Sequence, residues 1–302
     1  MAREQFIRIL NGSRFMSKYM VNDIRYVSLT ISIVSDLSNW GQILKETIPA
    51  MEEELMKRYG VQELFLGHEM SDPHQLYLFL YAPSSRKFIV ARFIDKYLKK
   101  YLSRANLPKV AYNRIEVSLW MPYEENTIKY GLFFIAEKSN KLKVGIYSSI
   151  NKINRTLMLD PSFGYDMLLI RAFCIIYMTT VCFEEFAEEL TGEELIYKLY
   201  RLDTEPFEDL YEKEEELFKW VAEQIDCSDL SELEWLIHWK TFLDSYALEL
   251  PQGLSSSELK KRYAEILNTF FTINRLPLTE RISLMVATRN VMRDKKSALS
   301  YL

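Results

Sequence analysis

The chain has 302 residues, of which 48% are hydrophobic and 26% are charged, and its formal net charge is −4. A chain of this length can bury a large core, either as one large domain or as two smaller ones. The acidic balance gives no general attraction to nucleic acid or to anionic membranes, although a local basic patch can still bind an anion.

Glycine and proline are scarce, with nine of each, which predicts abundant helix and no long flexible linker. The three cysteines, Cys174, Cys182 and Cys227, match neither a metal-binding spacing nor a disulfide framework. They indicate a reducing compartment, so we expect a cytoplasmic protein. Residues 1–14 lack the apolar stretch of a signal peptide. The apolar run 167–183 contains Arg171, which favours a buried core helix over a membrane span.

The first half of the chain predicts an alternation of strands and helices. Residues 26–33 alternate apolar and small polar residues, as a half-buried strand does. A helix follows from about residue 39, with a kink or break at Pro49 and a stop at Gly60. Strands are predicted at 63–66 and 75–81, and the turn between them contains Asp72 and Pro73.

A second helix is predicted over 86–104, capped by Ser84 or Ser85, and a strand over 115–120. The order strand, helix, strand, strand, helix, strand is typical of a ferredoxin-like βαββαβ sheet. Further on, helical periodicity covers 166–183, 207–225, 230–248, 256–273 and 279–294, with breaks at 191–193 and 251–253. We therefore predict an α+β fold in which a sheet half, 20–122, precedes a mainly helical half, 123–302, within one unit spanning 1–302.

The loop 123–131 concentrates groups that can donate or accept a proton. It contains Tyr123, Glu125 and Tyr130 together with the amide of Asn126 and the ammonium of Lys129. Such a set next to a strand end is typical of a binding or catalytic site, and an ordinary polar turn with Tyr130 packed inward is the alternative.

Two further residues belong to this candidate site. His74 begins the strand that carries Tyr77, and an imidazole can act as a general acid or base near neutral pH. A histidine that only satisfies a turn remains the alternative. His68 and His74 flank Glu69 and Asp72, but their spacing fits no metal site, and no phosphate-binding glycine loop is present.

Several of these segments resemble the C-terminal elimination domain of lantibiotic dehydratases, a type that also occurs as stand-alone proteins of thiopeptide biosynthesis. The similar segments cover about half of the chain. They are the helix from Trp40 to Leu55, the turn Asp72-Pro73-His74 with its strand, and the block 126–131 followed by Ala136-Glu137 and Ser139.

The departures from that family pattern are informative. Eliminating domains carry a His-Leu-Arg-Leu-Arg strand that holds a glutamyl group, whereas residues 74–80 contain no arginine. The arginine before Tyr-Gly is Lys129, which lacks the planar fork of arginine. Asn126 replaces the family's glutamate, and the family's histidine near the C-terminus is absent around Arg289. The glutamate-handling groups are therefore missing.

A stand-alone relative without those groups resembles the pyridine synthases of thiopeptide biosynthesis. The resemblance implies a formal [4+2] cycloaddition that joins two dehydroalanines of a precursor peptide and expels water and the leader peptide. It implies no metal or organic cofactor, because the chemistry needs orientation and acid–base groups. The candidate residues are Tyr123, Glu125, Tyr130, His74 and Tyr77 for catalysis and Lys129, Arg289 and Asn126 for substrate binding.

The implied partner is a precursor peptide with an acidic leader, and neither a membrane nor a nucleic acid is expected. The candidate leader dock is a basic stripe on the second helix, for which a solvated helix end is the alternative: Lys96, Lys99, Lys100 and Arg104, with Lys109 beyond them. Three other interpretations stay open: glutamyl elimination, tRNA-dependent ligation, and a non-catalytic module that binds the precursor peptide. A homodimer is left open beside a monomer.

Overall fold

The computed structural model describes residues 26–69, 74–108, 126–130, 138, 140–186, 191–199, 209–227, 230, 233–251 and 253–299. The chain divides into two compact units. The sheet unit comprises residues 1–144 and 158–161, and the helical unit comprises residues 145–157 and 162–302. The described fold is α+β, as the sequence predicts, with a small antiparallel sheet and a large share of helix.

The sheet contains four strands, β1 (Tyr26–Val34), β2 (Leu64–Glu69), β3 (Gln75–Pro83) and β4 (Thr127–Tyr130). Their order is β2-β3-β1-β4, and every neighbouring pair is antiparallel. β1 forms where the sequence alternates β-branched and small residues, which suit a pleated strand covered on both sides. β1 and β3 occupy the centre of the sheet, and five of the nine β1 residues are buried, all of them from Leu29 onward.

Three helices follow the strands of this unit: α1 (Trp40–Glu46), α2 (Ile48–Tyr59) and α3 (Lys87–Leu102). Thr47 separates α1 from α2, two residues before Pro49, which confirms the predicted break. Gly60 ends α2 at a φ of +73°, a left-handed conformation that glycine adopts without a Cβ penalty.

The helices cover one face of the sheet. α3 contacts β1, β3 and β4, and it buries Val90, Ala91, Ile94 and Leu98 at helical spacing. In α1 the fully buried indole of Trp40 donates a hydrogen bond from Nε1 to the Ser35 carbonyl, 3.0 Å away, at the end of β1. The helix-covered face therefore forms the apolar core of the sheet unit.

The helical unit contains most of α4 (Lys141–Met158) and six further helices among its described residues. These are α5 (Tyr165–Glu185), α6 (Gly192–Leu199), α7 (Asp209–Asp226), α8 (Ile237–Glu249), α9 (Ser256–Asn274) and α10 (Leu278–Leu299). α5 lies at the centre and contacts α6, α7, α8, α9 and α10. Ser255 caps α9 in a capping box with Glu258, which satisfies two amide donors at the helix start.

Helix α5 is long and apolar enough to cross a membrane, with a mean hydropathy of 1.7 over its best window. Two thirds of that window is buried inside the protein, including the whole Arg171 side chain. Cys174 is buried on the same helix, and the Cys182 thiol is partly exposed, so one of the two expected packed thiols is fully enclosed. Burial raises the pKa of Cys182 to about 12.

Several sequence expectations differ from the structure. No serine side chain caps α3: Ser84–Arg86 form a 3₁₀ turn, and Arg86 precedes the helix without a capping side chain. Helices α4 and α6 were not predicted, and α6 begins at Gly192, where a break was expected. The predicted strand 115–120 lies outside the described residues. The strand beside β1 is β4, within the segment predicted to be a turn.

Candidate functional site

Two rows of residues run across the sheet on the face opposite the helices. Strand pairing aligns Gly67, Tyr77, Ser32 and Lys129 in one row. A second row, at the end of the sheet, aligns the residues Glu69, Gln75, Val34 and Thr127. Because successive side chains of a strand point to opposite faces, these two rows share a face. Polar groups from all four strands therefore gather there.

Hydrogen bonds join four of these side chains into what we call the sheet network: Ser32, Glu69, Gln75 and Tyr77. The Tyr77 hydroxyl donates a short hydrogen bond to Glu69 Oε2, and Gln75 Nε2 lies 3.5 Å from the same oxygen. Ser32 Oγ donates to Gln75 Oε1 over 3.1 Å. Tyr77, Ser32 and Gln75 are buried, whereas Glu69 is partly exposed. The network thus leads from a buried phenol to a carboxylate that solvent reaches.

Lys129 extends the polar face on the other side of β1. It stands two strands away from Tyr77, about 10 Å between backbones at the usual strand spacing. Burial lowers the pKa of Lys129, because a low-dielectric environment disfavours the charged ammonium. Lys129 is therefore a cation that loses its proton more readily than an exposed lysine.

A second polar cluster surrounds the last residues of β1. Ser35 Oγ donates to Asn126 Oδ1 over 2.7 Å, and Asn39 Nδ2 donates to Ser35 Oγ over 3.1 Å. The backbone N–H of Asn126 donates to the Val34 carbonyl over 2.7 Å. Asn126 adopts a left-handed conformation, φ +57°, which asparagine tolerates better than most residues. These contacts fix the chain just before β4, next to the sheet end.

His74 lies at the same end of β1. Its carbonyl accepts a hydrogen bond of 3.2 Å from the Ser35 amide, and its Nδ1 lies 3.6 Å from Asp36 Oδ2. The imidazole meets the Trp40 ring edge-on, with 6.4 Å between ring centres. His74 is only partly exposed, and a carboxylate next to an imidazole can orient it for acid–base work. His74 and Asn126 are thus brought to one end of the sheet, as part of one cluster.

The structure separates other members of the predicted set. Tyr77 and Lys129 lie on the face opposite the helices, whereas Tyr130 occupies the row of Leu66, Leu78 and Ile31, on the helix-covered face. Strand pairing therefore places Tyr130 and Tyr77 on opposite faces of the sheet, so the two side chains do not line one cleft.

The remaining predicted residues lie in other parts of the protein or outside the described residues. Tyr123 and Glu125 lie outside the described residues. Arg289 belongs to the helical unit, where its guanidinium lies 3.4 Å from Asn290 Oδ1. The predicted leader dock, Lys96, Lys99, Lys100 and Arg104, is exposed on and after α3, and Lys109 lies outside the described residues.

Sequence reasoning missed Glu69, Ser32 and Asp36 as site residues. Ser32 is a polar position of the alternating strand, and Glu69 follows the apolar run of β2, so both signals were present. The bond between Ser32 and Gln75 depends on strand register, which joins residues 43 positions apart. Over the described ranges, no group of three or more metal-ligating side chains is found, and His68 and Glu69 point to opposite faces.

No protein-family model matches the chain, and no curated protein matches it in sequence. Solved structures do match. The pyridine synthase TbtD, from thiomuracin biosynthesis, aligns over 88% of this chain and 98% of its own, with a TM-score of 0.54 and 14% identity. TsrL aligns over 90% of this chain and 96% of its own, with a TM-score of 0.54 and 12% identity.

The chain shares its fold with these proteins. The same fold is found in the tRNA-dependent lantibiotic dehydratase MibB from Microbispora sp. 107891, with a TM-score of 0.56 and 10% identity. That match covers 94% of this chain but 29% of MibB, so the chain corresponds to under a third of the larger protein. The expected structural resemblance to lantibiotic dehydratases and to a pyridine synthase is confirmed at the level of fold.

Proposed function

We propose that this protein is an enzyme of ribosomal peptide biosynthesis and, specifically, a pyridine synthase that acts on a precursor peptide with a leader. It is a lyase-type cyclase that works in the cytoplasm without a metal or organic cofactor. Its substrate carries two dehydroalanines, and its products are a pyridine-containing macrocycle, water and the leader peptide. We further propose that the sheet unit is ferredoxin-like, with 115–120 or β4 as its last strand.

The observation that carries this proposal is the shared fold with a pyridine synthase over nearly the whole length of both chains. Fold by itself does not determine function, so the site must supply the chemistry. The end of the sheet supports it, because a phenol, a carboxylate and an amide gather on one face there, while the His74 imidazole lies beside Asp36 and Trp40 on the side of the helices.

The reaction begins with an amide that takes its imidic form. One peptide amide next to a dehydroalanine loses its N–H proton and gains a proton on oxygen, which creates a 2-azadiene. This azadiene adds through its two terminal carbons across the C=C bond of the second dehydroalanine, so that two C–C bonds form and the remaining double bond moves to the C–N bond between them. Loss of the hydroxyl as water and then of the leader produces the aromatic ring. Holding the two alkenes together removes much of the entropic barrier.

The sheet network suits the proton transfers of this sequence. Glu69 is the partly exposed end of the network and accepts the amide proton, while the Tyr77 phenol that bonds to it supplies a proton. Gln75 on the neighbouring strand β3 holds the carboxylate side chain, and Ser32 on β1 in turn holds Gln75. His74, next to Asp36, serves the later eliminations at the same end of the sheet.

The loop before β4 completes the proposed site. Tyr123 and Glu125 bind and protonate the reacting amide, and Asn126 and Lys129 orient peptide carbonyls. Changing Tyr123 to Phe, or Glu125 to Gln, tests these assignments by the turnover of a precursor with two dehydroalanines, and Tyr130→Phe, on the opposite face of the sheet, is the control. Unchanged turnover in both site variants would remove the loop from the site.

Glutamyl elimination is the second candidate, because the dehydratase MibB shares the fold over 94% of this chain. Elimination requires a clamp for the glutamyl carboxylate. On the face opposite the helices, this end of β3 carries Gln75 and Tyr77, and among the described strand residues the cation on this face is Lys129. A single lysine whose pKa is lowered by burial is a poor replacement for an arginine pair, so cycloaddition is favoured.

Mass spectrometry tests the proposed function. The purified protein is incubated with a leader-bearing peptide that contains two dehydroalanines. The expected products are the released leader and a macrocycle whose mass is that of the precursor less the leader and one water. A glutamylated peptide that loses glutamate instead would establish elimination. A peptide that binds with its mass unchanged would establish a binding module, and both results would overturn the proposal.

A further inference from the structure

Three hydrogen bonds in a row connect the backbone after α3 to the side chain just before β4. Asn39 Nδ2 donates to the Pro108 carbonyl over 3.0 Å and to Ser35 Oγ over 3.1 Å. Ser35 Oγ in turn donates to Asn126 Oδ1 over 2.7 Å. We call this row, formed by Pro108, Asn39, Ser35 and Asn126, the amide relay.

The direction of each bond in the amide relay is set at Pro108. A backbone carbonyl can only accept a hydrogen bond, so the end of the Asn39 amide that faces Pro108 is its nitrogen. The same nitrogen donates to Ser35 Oγ, and the one hydroxyl proton of Ser35 is therefore directed to Asn126. Because a donor must meet an acceptor, the Asn126 amide presents its oxygen to Ser35. Its donor end, Nδ2, is left for another partner.

Ser35 is held firmly enough to impose this direction. Its backbone N–H donates to the His74 carbonyl over 3.2 Å, and its carbonyl accepts from Trp40 Nε1 over 3.0 Å. Ser35 and Asn39 are 1% and 2% exposed, so water does not compete for their polar groups. A buried network whose members are all bonded fixes the orientation of each side chain.

Asn126 is the solvent-accessible end of the amide relay. The residue is partly exposed, and within the part of the chain that the structure describes no hydrogen bond joins its Nδ2 group to a protein atom. Its backbone is held separately, because its N–H donates to the carbonyl of Val34, the last residue of β1. Buried groups therefore set both the position of this amide and the direction in which its N–H donors can act.

We propose that Asn126 Nδ2 donates a hydrogen bond to a backbone carbonyl of the bound peptide, and that Ser35 is the positioning residue that fixes this donor. A side-chain amide neither gains nor loses a proton near neutral pH, so Asn126 binds and orients the peptide and takes no part in proton transfer. A donor fixed in advance loses less entropy on binding than one that must turn. The identity of the peptide, a precursor with two dehydroalanines, rests on the proposed function.

Nuclear magnetic resonance tests the amide relay in the free protein. In protein whose asparagines carry a nitrogen label, the side-chain signals of Asn126 are identified by their loss in Asn126→Asp. We expect these signals to move in Ser35→Ala, which removes the hydroxyl, and to stay close to their wild-type positions in Ser35→Thr, which keeps it. Signals that do not move in Ser35→Ala would overturn the relay.

Peptide affinity tests the donor role. The probe is a fluorescein-labelled, leader-bearing peptide in which alanine replaces both dehydroalanines, so that it binds without reacting, and fluorescence anisotropy measures its affinity. Asn126→Asp keeps an acceptor for Ser35 but removes the donor, and it should weaken binding about fivefold, as expected for one hydrogen bond. Asn268→Asp, the same change at an exposed position of α9, is the control and should leave the affinity unchanged. Full affinity in Asn126→Asp would overturn the donor role.

A double-mutant cycle separates positioning from a general loss of structure. Asn126→Gly removes the amide but keeps a residue that readily adopts a φ of +57°. Ser35→Ala alone should weaken binding of the probe, whereas Ser35→Ala added to Asn126→Gly should weaken it no further, because Ser35 acts through Asn126. A second loss of affinity in the double variant, as large as that of Ser35→Ala alone, would overturn the positioning role.

The outcome is separate from that of the proposed function. Binding of the probe that depends on Asn126 and Ser35, in a protein that leaves the mass of the reactive precursor unchanged, would keep the inference and remove the cyclase. Cyclisation with the wild-type KM in both Asn126→Asp and Ser35→Ala would keep the cyclase and overturn the inference.

Discussion

Polar groups are held across strands in the sheet unit and along helices in the helical unit. In the sheet unit, Ser32, Gln75, Glu69 and Tyr77 connect three different strands through side chains. In the helical unit, the hydroxyl of Thr288 donates to the Leu284 carbonyl one turn earlier, within one helix.

The same local bonding recurs through the helical unit. Thr179 and Thr180 each donate to the carbonyl four residues earlier, and Asn274 donates to the Phe270 carbonyl. The fully buried Arg171 bonds to Asn154, and burial lowers its pKa to about 9. A hydrogen-bond network that reaches solvent at a sheet edge can exchange protons with a substrate, whereas polar groups enclosed among helices stabilise the packing of those helices. This contrast favours the sheet end as the place of the proposed chemistry.

The largest expected effect is that of Glu69→Gln on turnover. The amide has the shape of the carboxylate but cannot accept a proton, so the rate of ring formation should fall about 100-fold. Product formation by mass spectrometry measures it. The matched control is Asp226→Asn in the helical unit, a carboxylate that also bonds to a phenol, that of Tyr177. A control as slow as the Glu69 variant would contradict the contrast.

The next effect concerns stability in the helical unit. Asn154→Ala removes a buried hydrogen bond to the Arg171 guanidinium, and such bonds to charged groups contribute about 2 kcal/mol. Denaturant unfolding should show this loss, while turnover per folded molecule stays unchanged. Reduced turnover in a variant of unchanged stability would place Asn154 in the site.

A smaller loss of stability is expected at the start of α9. Ser255→Ala removes the side chain that accepts from the Glu258 amide, and loss of such a cap costs about 1 kcal/mol. Urea denaturation followed by circular dichroism measures it. Ser257→Ala, a serine on the same exposed turn outside the capping pair, serves as the control and should change the midpoint much less.

The smallest expected effect is a change in the pH profile. Burial lowers the pKa of Lys129, so its ammonium loses its charge at a lower pH than an exposed lysine. If that charge orients a peptide carbonyl, activity falls on the alkaline side as the proton is lost. Lys129→Arg stays protonated and should move this fall to higher pH. Identical alkaline profiles for both proteins would exclude Lys129 from the reaction.

The sequence predicted well the elements whose cause is local. Alternation identified β1, the break near Pro49 and the stop at Gly60 follow from backbone chemistry, and five later helices follow from periodicity. Helix α4 was missed because Gly145 and its paired serines at 148 and 149 weaken its intrinsic helix preference. The sequence of β4 is typical of a polar turn, and its strand conformation comes from pairing with β1.

The arrangement of the candidate site residues was not predictable from the sequence for a related reason. His74, Tyr77, Asn126 and Lys129 are gathered at the sheet end, yet their division between faces depends on register, which a sequence read alone does not reveal. Glu69 became visible as a site residue only through its bond to Tyr77.

The most direct test compares two tyrosines that each bond to a carboxylate. Tyr77→Phe alters the sheet network, and Tyr177→Phe alters the equivalent pair in the helical unit. Rates of pyridine formation from a peptide with two dehydroalanines are measured for both variants and wild type. We predict that Tyr77→Phe is slowed about 100-fold, as expected for the loss of a general acid, while Tyr177→Phe reacts at nearly the wild-type rate. Equal rates for the two variants, or a slower Tyr177→Phe, would contradict the assignment of chemistry to the sheet end.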